Sequence, residues 1–138
     1  MPSIFSIVPN EDPEATGMDV DASGPKVRIS LSKENFESYD YLRHSQALHP
    51  MLSASVIVPA LVDVIEKIRR ASMEGVLEGF AELRWYVVIA RRLREMNINL
   101  YDPDSFVDSS LKIAHELLGQ PLSASLNGLK SMIEEVAE

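Results

Sequence analysis

Three histidines, His44, His49 and His115, and 21 carboxylates are the side chains with which this chain could perform acid–base or metal chemistry. His115-Glu116-Leu117-Leu118-Gly119 starts like the zinc-protease pattern, in which two histidines one helical turn apart hold zinc and the glutamate acts as base. The second histidine is missing. One imidazole beside one carboxylate, ~100° apart on the helical wheel, does not make a metal site. Asp19-Val20-Asp21-Ala22-Ser23-Gly24 places oxygens and a glycine as the opening of a calcium loop does. The closing position then falls on Ser30, where a bidentate glutamate is needed, so the segment reads as an acidic, solvated loop.

Ser30 to Lys33 and Ser109 to Lys112 match Ser-x-x-Lys without the companion motifs of the acylating enzymes that use it. Gly128-Leu129-Lys130-Ser131 lacks the glycine-rich loop of a phosphate cradle. Glu74, Glu78 and Glu82 share a helical face, but no Glu-x-x-His accompanies them to build a di-metal site. Thiol catalysis, thiolate metal sites and disulfides are excluded, because there is no cysteine. The expectation is a chain with no catalytic residues, no metal site and no cofactor.

Arginine is the more informative side chain. Residues 1–66 carry a net charge of −6, residues 67–94 carry +4 and residues 95–138 carry −6, within a chain whose total is −8. Six of the seven cations in the basic middle are arginine. Arg84 and Arg91 are seven residues apart and stack on one helical face, with Arg94 near that face, Arg92 nearly opposite, and Trp85 and Tyr86 alongside. Arginine beside aromatics anchors protein partners, grips phosphates or stacks on bases. Arg84, Trp85, Arg91, Arg92 and Arg94 are therefore the expected partner-binding residues. The competing reading is intramolecular: acidic flanks fold over the helix and pair the arginines with Asp102, Asp104, Glu134 or Glu135.

A second surface comes from apolar residues. Val56 to Val62 is a run of seven apolar residues broken only by Pro59 in type. It reads as core, or as a subunit seam formed by Val56, Ile57, Leu61 and Ile65 in a homo-oligomer. At seven residues it is far short of the ~18 that a membrane span needs. No N-terminal stretch pairs a basic segment with an apolar one, so no signal peptide is expected and a cytoplasmic location is the default.

The elements that must position these residues follow from periodicity. Ser3 to Val8 and Val27 to Ser32 read as strands, the second with clean apolar–polar alternation, and pair as an antiparallel ribbon. The acidic stretch 10–25 between them reads as a mobile loop. Ser32 caps a helix carrying Phe36 and Tyr39. A helix from Pro50 to Ala71 follows, kinked at Pro59, with a short strand over Ser55 to Val58 as the alternative. One helix is expected from Met73 to Met96, one from Asp102 to Gly119, and a last amphipathic one from Pro121 carrying Leu122, Leu126, Leu129, Ile133 and Val136.

With 138 residues, 46% of them hydrophobic, the chain fits a single domain. The expected fold is α+β and predominantly α: four to five helices over 33–138 and a two-stranded antiparallel N-terminal ribbon over 1–32. The expected function is a non-enzymatic protein-interaction or assembly module whose partner is a second copy of itself, away from membranes. A regulator that binds nucleic acid through the basic middle is the alternative, and an enzyme of unidentified class the third reading.

Overall fold

The structure, a computed structural model, describes residues 4–137. Ser3, where the first strand was expected to begin, lies outside the described residues. The chain is mainly helical, with a small sheet at its N-terminal end. Strands β1 (Phe5–Pro9), β2 (Met18–Asp21) and β3 (Val27–Leu31) form that sheet in the order β1-β3-β2. Helices α1 (Lys33–Leu42), α2 (His49–Leu52), α3 (Val58–Glu74), α4 (Arg84–Glu95), α5 (Ser110–Leu117) and α6 (Pro121–Ala137) follow.

The ribbon differs from expectation in strand number and direction. β2 lies in the acidic stretch expected to be mobile, and it pairs antiparallel with β3 through the short loop 22–26. Closing that loop costs less chain entropy than closing the longer one back to β1, so the hairpin takes one edge of β3. β1 occupies the other edge and runs parallel to β3, with Ile7 opposite Ile29. The acidic segment is held by its own side chains: Asn10 accepts from the Asp12 amide at 3.0 Å, and Asp12 accepts from the Glu14 amide at 2.9 Å. Val27, Ile29 and Leu31 turn into the core and Arg28 faces water, as the alternation requires.

The helix expected from Pro50 is present and kinked. Gln46–Glu74 runs as one helical rod. Its middle, Ser53–Ile57, is a π turn, in which the Val58 amide donates five residues back to Ser53. Pro59 explains the irregularity: it cannot donate, and its ring crowds the carbonyl one turn earlier. From there α3 buries Leu61, Val64, Ile65 and Ile68 completely and packs on α5, whose Ile113, Ala114 and Leu117 close the core.

The single helix expected over Met73 to Met96 is two elements. Gly75 ends α3 in the left-handed region at φ +68°, and the Val76 amide returns to Ala71 at 2.9 Å. This is a Schellman ending, open to glycine because no Cβ opposes the turn. A 3-10 turn over Leu77–Phe80 then carries the chain to α4. Glu74, Glu78 and Glu82 consequently do not form one helical stripe. Asp102 caps only the short turn Pro103–Ser105, and α5 starts later on Ser109, whose hydroxyl accepts from the Lys112 amide at 3.1 Å.

The Gly75 geometry gives a direct test. Gly75→Ala should lower stability by about 1–2 kcal/mol, because an L side chain is strained at positive φ. Gly79→Ala, at negative φ with open space around it, should leave stability unchanged or raise it by up to ~1 kcal/mol. Urea denaturation of both variants reads the contrast; equal effects would remove Gly75 as the helix stop.

Candidate functional site

α4 begins without a side-chain cap, because Leu83 stands at its N-cap position. The sheet supplies what is missing. The Trp85 amide donates to the Pro25 carbonyl at 3.0 Å, and the indole Nε1 donates to the Ala22 carbonyl at 2.8 Å. Trp85 is fully buried, with Phe80 5.5 Å away and Tyr86 edge-on at 6.0 Å. Trp85 is therefore part of the core and not of a partner-binding face, because its one polar atom is satisfied inside the fold. Burial also pushes the Tyr86 hydroxyl above its usual pKa.

The arginines remain outside. Arg84, Arg91, Arg92 and Arg94 are all exposed. Arg92 sits 3.7 Å from Glu95, a surface pair that contributes little. Among the described residues Arg84, Arg91 and Arg94 form no ion pair, so the acidic flanks do not cover them. Val87, 42% exposed, shares their face. Arg69 behaves differently: its guanidinium donates to the carbonyls of Asp108 at 2.8 Å and Phe106 at 3.2 Å, and lies 5.3 Å from the centre of the Phe106 ring. That arginine fixes the turn before α5.

The side chains with possible chemistry stay apart. Among the described residues no three His, Asp or Glu gather at metal-binding distances. Asp21 accepts from both the amide and the hydroxyl of Ser23, which holds its carboxyl below the usual range. Asp19 accepts from the Asn10 side chain at 3.2 Å and pairs in register with Ser30, so the calcium-like segment is a hairpin. Nδ1 of His115 is buried and makes no hydrogen bond among the described residues, while Glu116 is exposed.

The expected seam splits. Leu61 and Ile65 are fully buried on α3 and belong to the core of one copy, in the cluster where α3 packs on α5. They are unavailable to a subunit contact. Val56 and Ile57, in the π turn, are only half-buried. The most apolar 18-residue window of the rod Gln46–Glu74 has a mean hydropathy of 1.7 and is 28% buried. By length and composition this rod could cross a membrane. Its second half, however, forms the core described above, and a span would dismantle that core.

The surface that the sequence did not single out is α6. It rests on α2 and the π turn, with Pro121 its one buried residue. Leu122, Leu126, Met132, Ile133 and Val136 remain between 49% and 88% exposed. Their periodicity was legible; their failure to find a partner within the chain was not. A groove of about 650 Å³ also opens between β1, α1 and the π turn, lined by Phe5, Phe36, Tyr39, Leu52 and Ile57 among others. Two of its polar groups are occupied internally: Arg43 pairs with Asp40 at 2.7 Å, and His49 Nε2 lies 2.8 Å from the Arg43 carbonyl; His44 also lines the groove.

Comparison with protein-family models, with curated proteins and with solved structures found no match. The division between buried tryptophan and free arginines is measurable on its own. Trp85→Ala should cost about 3–5 kcal/mol in urea denaturation, as large core truncations do. Arg84→Glu with Arg91→Glu should change stability by no more than ~0.5 kcal/mol per site. A large loss in the arginine variant would place those side chains in the fold and not on a free face.

Proposed function

We propose that this chain is a non-enzymatic protein-interaction and assembly module, and that its partner is a second copy of itself. One observation carries the reading: α6 holds a continuous apolar face in water, next to a helical rod that is itself half-exposed over Met51 to Ile57. Contiguous apolar surface of this kind marks a site of association.

A second reading has its own observation. Arg84, Arg91 and Arg94 form a cationic face without ion pairs among the described residues, which suits an acidic partner or nucleic acid. The net charge of −8 opposes nucleic acid at long range and confines such binding to α4.

Size-exclusion chromatography with multi-angle light scattering separates the two. Assembly through apolar surface predicts a mass above the 15.4 kDa of one chain at both low and high salt, unchanged by Arg84→Glu with Arg91→Glu. A monomer at every concentration, together with DNA or RNA binding that falls steeply with salt and disappears in the arginine variant, would transfer the function to α4.

A further inference from the structure

The exposed residues of α6 are spaced with unusual regularity. Leu122, Leu126, Leu129, Ile133 and Val136 are separated by four, three, four and three residues. That is the strict a/d repeat of a coiled-coil seam, narrower than the stripe with which a helix normally meets a globular core. Leu129 is 36% exposed, and Ile133 and Val136 are 71% and 88% exposed. The body of the protein therefore covers the seam only in part, most at Leu129 and least toward the C-terminal end of α6. Six apolar side chains of α6 expose on the order of 600 Å² between them, close to the ~800 Å² per partner of a stable interface.

The helix itself calls for this cover. A helix of 17 residues is marginal in water without tertiary packing, and α6 buries only Pro121. Its charges add a direction. Glu134 and Glu135 lie in its C-terminal part, where the helix dipole is negative, and no basic residue stands in its last turn. Beside the N-terminus of another helix the same carboxylates meet the positive end of a dipole. A parallel pair would instead crowd four such glutamates together, and would put both protein bodies at the same end of a rod only ~25 Å long.

Resting on the assembly reading above, we propose that the seam of α6 is covered by α6 of a second copy, packed antiparallel about a two-fold axis. The register that joins a to d positions and sets Glu134 beside Pro121 places Leu122 of one copy against Ile133 of the other, and Leu126 against Leu129. Nothing charged lies at the core positions of that seam. Lys130, at a flanking position, is already close to Glu134 of its own helix at 3.9 Å.

The chain has no cysteine, so introduced thiols report the geometry without background. An equimolar mixture of Leu122→Cys and Ile133→Cys chains, oxidised gently, should yield the mixed disulfide dimer, while either variant alone should stay largely uncrosslinked. Leu126→Glu with Ile133→Glu should convert the wild-type species to a monomer of 15.4 kDa by light scattering, with far-UV circular dichroism retaining the α3–α5 helices. Crosslinking of each cysteine variant with itself, and no mixed disulfide between the two, would reverse the direction and sink the antiparallel pairing while leaving assembly intact. A dimer indifferent to the glutamate pair would remove α6 from the interface. A wild-type monomer at all concentrations would overturn the assembly reading itself.

Discussion

Two hydrogen bonds from one residue hold the sheet and the helices together. Trp85 sends its amide to Pro25 and its indole N–H to Ala22, and both carbonyls belong to the loop that joins β2 to β3. Each partner needs the other. α4 starts on Leu83, which offers no capping oxygen, so an orphan amide of its first turn depends on the hairpin. Ala22 is buried, so its carbonyl would lose water without gaining a donor if the indole were absent. Arg69 and Ser72 do the same on the far side of α3. Arg69 pins the turn before α5, and Ser72 donates to the Leu100 carbonyl at 2.5 Å. Three side chains from helices thus fix three irregular segments that have no ladder of their own.

This arrangement explains which parts of the fold were legible in the sequence. Local rules worked where a residue acts on its neighbours: Ser32 caps α1, Gly119 closes α5 at positive φ, and Pro59 distorts the rod. They failed where two local signals competed. Val76, Phe80, Leu83 and Val87 keep a helical period across the break, and that period masks the stop signal of Gly75 and Gly79. Yet glycine is a poor helix former and the favoured left-handed stop, and the structure uses Gly75 in that role. β2 was hidden for another reason. Met18-Asp19-Val20-Asp21 alternates as an edge strand should, but its acids dominate composition, and an acidic stretch reads as loop until a neighbouring strand is known.

The candidate surfaces show the same limit. The type of Trp85 points to a binding residue, whereas its indole N–H bonds inside the fold to Ala22, 63 residues away. Leu61 and Ile65 carry the same apolar signal as Val56, and only the packing of α3 on α5 separates core from surface. Periodicity states which face of a helix avoids water. It does not state whether the cover comes from the same chain. For α6 the cover within the chain is incomplete, and the four-three spacing, rather than the hydrophobicity, is what distinguishes a seam from a core stripe.

α6 contradicts two local rules at once. Leucines, an isoleucine and a valine stand in water, and a pair of glutamates sits at the wrong end of a helix dipole. Sequences that fold well agree with themselves at every level, and disagreements concentrate where function imposes another demand. The antiparallel copy proposed above would answer both disagreements with one contact, since it would cover the leucines and bring a positive helix end to the glutamates. The arginines of α4 ask for something different. Each of these arginines is exposed, and burying its guanidinium would require an acid in good geometry to offset the lost hydration. The exposed apolar surface is therefore concentrated on α6, while α4 presents exposed cations.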